Sequence, residues 1–175
     1  MKLVITLFTF FITSQFFAQD STSISIRRGD TMYVEPSTSL ADLSMITPPE
    51  GFVVSENFNG YIHYQMGAAI IMTLIEGTNY VNISKGMTEE FYAANQLHFI
   101  SKEKVETKSG LKGLSYKFYF TLEETEFIRY MVYVGDLNNI LWLNVTYPRM
   151  GDELLSPKID KMIQSAQLKP RENEK

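Results

Sequence analysis

The short connections between three long β-type segments constrain this fold more than any other feature of the sequence. Leu111–Leu122, Phe127–Val134 and Ile140–Tyr147 are rich in β-branched and aromatic side chains, which favour strands. Glu123–Glu126 joins the first two segments, and Gly135–Asn139 joins the second to the third. Connections this short join antiparallel neighbours, because a parallel crossover needs about a dozen residues or more. The sequence therefore predicts an antiparallel meander.

Both faces of this meander carry apolar side chains. Alternate side chains of the first segment point to opposite faces of the sheet. One face receives Leu114, Tyr116, Phe118 and Phe120, and the other receives Ser115, Lys117, Tyr119 and Thr121. A sheet with one solvated face alternates more cleanly between apolar and polar residues. We therefore expect an α+β fold in which an antiparallel sheet of about six strands is flanked by two main helices, as an α/β/α-type sandwich.

The remaining strands and the two helices follow from local patterns. Further strands are predicted at Phe58–Gln65, Ala68–Glu76 and Lys102–Lys108. A first helix is predicted from Thr88, a suitable N-cap, to Phe99. The closing helix is predicted over residues 152–168, with Pro157 as an alternative first-turn position. Its apolar stripe consists of Leu155, Ile159, Met162, Ile163 and Ala166.

The order of turns and strands resembles that of a known superfamily. The residues that carry the resemblance are Pro48-Pro49-Glu50-Gly51-Phe52, Phe58-Asn59-Gly60-Tyr61, Ala68-Ala69-Ile70-Ile71-Met72, Gly110-Leu111-Lys112-Gly113 and Tyr147-Pro148. Over residues 31–168 this pattern resembles the PsbP-like superfamily, and within it the DcrB-like exported envelope proteins. The resemblance implies an antiparallel sheet between helices and a non-enzymatic role in binding, assembly or the cell envelope. No family site residue carries over.

The N-terminal residues are typical of a secretory signal peptide. Lys2 precedes an uncharged, mostly apolar run, Leu3–Phe17, and Ala18 precedes polar sequence from Gln19. The alternative is an uncleaved membrane anchor, but the run has 15 residues and a span needs roughly 20. We expect cleavage near Ala18-Gln19 and a periplasmic or secreted product. The predicted organisation is a signal peptide (1–18), a flexible leader (19–30), one α+β domain (31–168) and a polar tail (169–175).

Composition excludes several classes of partner and cofactor. The removal of residues 1–18 from the 175 leaves 157, with a formal charge of −5 because Lys2 is lost from a chain of charge −4. An acidic chain without basic runs is not expected to bind nucleic acid. The chain has no cysteine, so disulfides, thiol nucleophiles and the lipid anchor of bacterial lipoproteins are excluded. We predict no transmembrane span.

The chain shows no catalytic motif. Its two histidines, His63 and His98, are far apart in sequence, and without cysteine they do not supply a metal site. The acidic pairs, such as Glu123-Glu124 and Asp152-Glu153, fall at predicted turns or helix starts, where solvent keeps carboxylates ordinary. We therefore predict a non-enzyme without cofactors or metal.

The aromatic residues suggest one candidate ligand site. Tyr119, Arg129, Tyr133 and Trp142 would share one face of the sheet in a suitable register, although buried strands use such residues anyway. Two functions follow from the sequence. One is a non-catalytic exported module that binds an envelope protein or supports its assembly. The other is a carrier of a small apolar ligand, with an aromatic-lined pocket between the sheet and a helix.

Overall fold

The structure, a computed structural model, describes residues 37–169. These residues form an antiparallel sheet of eight strands in the order β2-β3-β4-β8-β7-β6-β5, with β1 paired to β4. The strands are β1 (Thr38–Leu40), β2 (Val53–Val54), β3 (Gly60–His63), β4 (Ala68–Glu76), β5 (His98–Glu106), β6 (Lys112–Leu122), β7 (Thr125–Gly135) and β8 (Asn139–Pro148). The helices are α1 (Tyr80–Gly86), α2 (Glu89–Ala94) and α3 (Asp152–Gln164). The α+β sandwich predicted from the sequence is confirmed, with more strands than the six expected.

The predicted meander is confirmed in β6, β7 and β8. Antiparallel pairing runs from Lys112↔Gly135 to Leu122↔Thr125 between β6 and β7, and β8 then pairs with both β7 and β4. The connection between β6 and β7 is a two-residue turn, shorter than the four residues expected. Glu123 and Glu124 both have positive φ, 46° and 66°. This is the backbone of the hairpin turn that matches the twist of the sheet.

The closing helix α3 covers one face of the sheet. The five residues of its predicted stripe are all buried, from Ile163 at 3% exposed to Ile159 and Ala166 at 0%. They pack against the sheet residues Tyr130, Val132, Leu143 and Val145, which point to the same side. A helix with one apolar stripe is stable in water only when that stripe is buried, so α3 and this face form the main core.

The short helices α1 and α2 lie over the opposite face. Tyr92 of α2 packs against Phe118 of β6, with ring centroids 4.9 Å apart. The hydroxyl of Tyr133 lies 3.8 Å from the sulfur of Met87, between the two helices. The sheet is thus covered on both faces, as the apolar residues on both sides of its strands predicted.

Two predicted helix limits are wrong. The helix expected to reach Phe99 ends at Ala94, because Gln96 adopts a left-handed conformation with φ 54°. His98 and Phe99 therefore belong to β5 and not to a helix. The closing helix begins at Asp152 and ends at Gln164, so Pro157 lies inside it and the alternative start at that residue is excluded.

Two strands and one α-helix were not predicted. The strands β1 and β2 have three and two residues, too few to show a period. The helix α1 has no buried residue and so no apolar stripe; its N-cap, Asn79, accepts hydrogen bonds from the amides of Val81 and Asn82. Within the described part of the chain, no helix is both long and apolar enough to cross a bilayer.

Candidate functional site

The register of the sheet separates the four residues predicted to share a face. Tyr133 is opposite Trp142, and Arg129 lies four residues before Tyr133 on β7, so these three side chains lie on the face covered by α1 and α2. Tyr119 is opposite Ile128 and points to the α3 side. The expectation that all four share one face is therefore wrong for Tyr119, because neighbouring residues of a strand point to opposite faces.

Arg129 is held within the sheet face. It is 8% exposed, its guanidinium lies 4.5 Å from the centroid of the Phe120 ring, and its Nε donates to the hydroxyl of Thr146 at 3.4 Å. Burial lowers the pKa of Arg129 to about 10. The side chain therefore remains a cation at neutral pH, attracted to an aromatic ring.

Tyr133 and Trp142 belong to a packed aromatic cluster. Their rings stack at 5.9 Å, and Tyr133 meets Tyr116 edge to face at 6.3 Å. Burial raises the pKa of Tyr133 well above its ordinary value. Three polar atoms on this face have no hydrogen-bond partner among residues 37–169: Tyr116 Oη, Trp142 Nε1 and Asn144 Oδ1. The rings fill the space beneath the helices, as aromatic core residues do.

A cavity of about 530 Å³ lies on the other face, between α3 and the strands β5 and β6. It is in the gap between sheet and helix where the sequence placed a possible ligand. None of the four predicted residues lines it. Its floor carries Ser115, Lys117 and Tyr130 from the sheet and Ser156 from α3, and its rim carries Glu103 and Asp160, so the lining is largely polar.

A network of charged hydrogen bonds joins this floor to the start of α3. Lys117 Nζ lies 2.8 Å from each carboxylate oxygen of Asp152 and donates to Ser156 Oγ at 3.2 Å. Tyr147 donates to Asp152 at 2.8 Å, and the hydroxyls of Tyr130 and Ser156 are 2.6 Å apart. Asp152 is therefore more than a solvated carboxylate at a helix start, because two side chains of the sheet reach it.

The protonation of these groups follows from their surroundings. Burial by itself would lower the pKa of Lys117, but the hydrogen bond from Lys117 to Asp152 and the neighbouring Tyr130 outweigh it and raise the pKa. Burial raises the pKa of Tyr147 strongly, and Tyr130 and Asp152 add to the rise. At neutral pH the network therefore contains the Lys117 ammonium and the neutral Tyr147 phenol.

The contact between Ser156 and Lys117 does not form a nucleophile and base. A lysine that activates a serine must be neutral, so its pKa must be lowered towards neutrality. The pKa of Lys117 is shifted the other way. The network instead ties α3 to the sheet.

Sequence reasoning missed Lys117, Asp152 and Ser156 as parts of one site. A charged residue in the middle of an otherwise apolar and aromatic strand was the available signal, since such a residue needs a partner when its face is covered. Asp152 and Ser156 are four residues apart and so lie on one side of the helix. Their meeting with Lys117 depends on tertiary packing.

The two histidines lie in separate environments. The ring of His63 meets Phe52 edge to face at 5.3 Å and accepts from the amide of Met66 at 3.4 Å. The ring of His98 stacks on Tyr119 at 4.5 Å. Among residues 37–169, no three histidines or carboxylates come close enough together to hold a metal ion.

Comparison with known proteins finds solved structures with a similar fold, one of them a PsbP. No family model and no curated protein matches the chain. Among solved structures, it is similar to LpqN of Mycobacterium tuberculosis, described as involved in cell envelope biogenesis, with 11% identity, a TM-score of 0.55, and coverage of 78% of this chain and 85% of that one. It is also similar to the cyanobacterial PsbP (CyanoP) of Synechocystis sp. PCC 6803, with 8% identity, a TM-score of 0.53, and coverage of 82% and 98%.

A third similar structure, from Bacteroides thetaiotaomicron VPI-5482, has 13% identity and a TM-score of 0.50; the matched region covers 81% of this chain and 51% of that one. At these identities the likeness concerns the fold alone. The resemblance to the PsbP-like superfamily that the sequence indicated is therefore confirmed as a resemblance of fold.

Proposed function

We propose that this chain is a non-catalytic exported module that binds a protein partner in the cell envelope and docks it along β5. The observation that carries the proposal is the exposure of this strand. β5 ends the strand order of the sheet, and within residues 37–169 no strand pairs with its outer edge. Phe99 is 50% exposed and Ile100 is 42% exposed.

The apolar part of this edge is held in a defined position. The ring of Phe99 stacks on Tyr92 at 5.8 Å and meets Phe118 edge to face at 6.0 Å. The register with β6 shifts between Phe99 and Ser101, so Ile100 sits at a bulge. The rest of the strand carries mostly charged side chains, namely Lys102, Glu103, Lys104 and Glu106. Charges and bulges on an edge strand oppose indiscriminate pairing, which favours a specific partner over aggregation.

The absence of catalysis in this proposal rests on the polar network at α3. Lys117 is an ammonium that donates a hydrogen bond to Asp152, so it cannot act as a base for Ser156. The site therefore provides structure and charge for binding rather than a nucleophile.

The envelope location is part of the proposal. It rests on the predicted signal peptide and cleavage near Ala18-Gln19, which lie outside the described residues. LpqN, which shares the fold, is described as involved in cell envelope biogenesis. The acidic charge of the chain favours a protein partner over nucleic acid.

Site-specific crosslinking tests the docking strand. A photoreactive phenylalanine analogue at Ile100 should crosslink the exported protein to one discrete partner in envelope extracts. The same analogue at Leu137, 81% exposed in the β7–β8 turn, is the matched control and should not. Without the analogue, an Ile100→Lys variant should capture less of this partner than the natural protein does. A Leu137→Lys variant should capture as much. Equal crosslinking at both positions, or capture unaffected by Ile100→Lys, rejects β5 as the docking strand.

A second candidate, a small-ligand carrier, is favoured by the cavity beside α3. Its polar lining fits a polar ligand better than the apolar one expected from the sequence. Native mass spectrometry of the purified protein separates the two candidates. A reproducible bound mass that disappears on denaturation supports a carrier, whereas a clean mass of the protein alone counts against it.

A further inference from the structure

The floor of the cavity beside β5 carries a largely buried serine. Ser115 is 8% exposed and lines the cavity floor. It points to the α3 side, because it is opposite Val132 on β7, which belongs to that core. Its side chain makes no hydrogen bond with another of residues 37–169, and its hydroxyl oxygen is open to the cavity rather than fully enclosed. A hydroxyl that is open to a cavity and has no partner in the protein is suited to hydrogen-bond a ligand there.

The charges around this cavity are predominantly negative. Asp160 and Glu103 lie on its rim, and the charge of Lys117 at its floor is paired with that of Asp152. Lys104 and Glu106 also line the cavity and offset each other. Burial raises the pKa of Asp160, and the charges of Glu103 and Asp152 add to the rise against the opposing effect of Lys117. A further positive charge at the rim would therefore be stabilised.

The register of β5 places this rim beside the docking strand. Ser101 is opposite Lys117, and Glu103 is opposite Ser115, so these side chains share the α3 face of the sheet. A segment that pairs with the outer edge of β5 would direct every second side chain to this same face. One such side chain would lie over the cavity.

We propose that the cavity binds the ammonium or guanidinium group of a lysine or arginine side chain carried by the segment that docks on β5. Asp160 and Glu103 accept hydrogen bonds from this group, and the hydroxyl of Ser115 accepts a further one. A cavity of about 530 Å³ is large enough for one long side chain. This inference rests on the proposed function for the source of the cation, but the site itself can be tested alone.

Binding of a capped amino acid tests the site directly. The probe is N-acetyl-arginine methylamide, and the uncharged control probe is the corresponding citrulline compound. Titration of the arginine probe should shift the backbone amide NMR signals of Glu103, Ser115 and Asp160, and the citrulline probe should bind at least about tenfold more weakly. Equal binding of the two probes, or no shift at these amides, overturns the inference.

Matched variants identify the carboxylate responsible. Asp160→Asn should weaken binding of the arginine probe by about tenfold, a loss equivalent to one charge-assisted hydrogen bond. Glu153→Gln, which removes an exposed carboxylate of the same helix that does not line the cavity, should not change it. Asp160→Asn relieves repulsion, so its melting temperature should be no lower than that of the natural protein. Unchanged affinity in Asp160→Asn overturns the inference.

The two proposals fail in different ways. If crosslinking at Ile100 gives no partner but the arginine probe still requires Asp160, the docking proposal is rejected and the cation site stands. If crosslinking at Ile100 succeeds and is unaltered in Asp160→Asn, and the arginine probe does not bind, the docking proposal stands and the cation site is rejected.

Discussion

Lys117 and Asp152 lie 35 residues apart in the chain, yet the lysine nitrogen is 2.8 Å from both carboxylate oxygens. The side chains are 15% and 30% exposed, so the pair is only partly screened by water. Tyr147 donates to the same carboxylate from β8. The start of α3 is therefore attached to two strands of the sheet through one aspartate.

This partly buried ion pair should contribute more to stability than an exposed one. We expect Lys117→Met to lower the free energy of unfolding by about 2 kcal/mol, because it removes the partner of a partly desolvated carboxylate. Lys169→Met removes the exposed pair of Lys169 with Asp42, whose side chains are 49% and 46% exposed, and should leave the free energy of unfolding almost unchanged. Urea denaturation measures both. Similar losses in the two variants would show that the Lys117 pair has no special role.

The protein should lose stability in alkali. Burial raises the pKa of Tyr147 above the ordinary 10.0, so above that pH the unfolded chain has released a proton that the folded protein still holds. This contribution is fully present below pH 10.0 and is lost as the pH rises towards the folded pKa. The raised pKa of Lys117 acts in the same direction above pH 10.5. We expect the free energy of unfolding to fall between about pH 10 and 11.

Tyr147→Phe identifies the phenol in this decline. The variant should show a shallower decrease in the free energy of unfolding with alkaline pH, measured by denaturation at a series of pH values. Tyr64→Phe changes a tyrosine that is 65% exposed and should leave the slope unaltered. A Tyr147→Phe protein with the slope of the natural protein would contradict the assignment.

The buried stripe of α3 should dominate the stability of the fold. Ile159 is fully buried, so Ile159→Asp places a charge without a partner in the core and should reduce the free energy of unfolding by roughly 3 kcal/mol or more. Lys161 is exposed on the same helix, and Lys161→Ala should change it by less than about 0.5 kcal/mol. Chemical denaturation compares them, and equal effects would place the stripe outside the core.

The turn between β6 and β7 should accept a stabilising replacement. Glu123 and Glu124 adopt left-handed backbone conformations that asparagine and glycine tolerate better. We expect Glu123→Asn with Glu124→Gly to raise the free energy of unfolding by about 1 kcal/mol. Glu123→Gln with Glu124→Gln removes the same charges without relieving the backbone, and should give a smaller gain. Thermal melts of both double variants provide the measurement; a larger gain in the glutamine pair would attribute the effect to charge.

Local patterns in the sequence were sufficient for the main elements of the fold. The period of Leu155, Ile159 and Met162 predicted the buried face of α3, and the predicted limits of β4 agree with the structure. The meander followed from connections too short to be parallel. These features depend on neighbours in sequence, where the period of a helix or strand determines which residues share a face.

Register and packing decided the site. The two-residue turn pairs Leu122 with Thr125, which puts Tyr119 opposite Ile128 and so on the other face from Arg129; a turn with one residue more or fewer would have reversed this. The meeting of Lys117 with Asp152 likewise requires α3 to cross the sheet at a particular point. No local pattern encodes either relationship, because each depends on which surfaces pack when the whole chain folds. The sequence by itself determined the elements and their buried faces, while the tertiary structure decided which polar side chains meet.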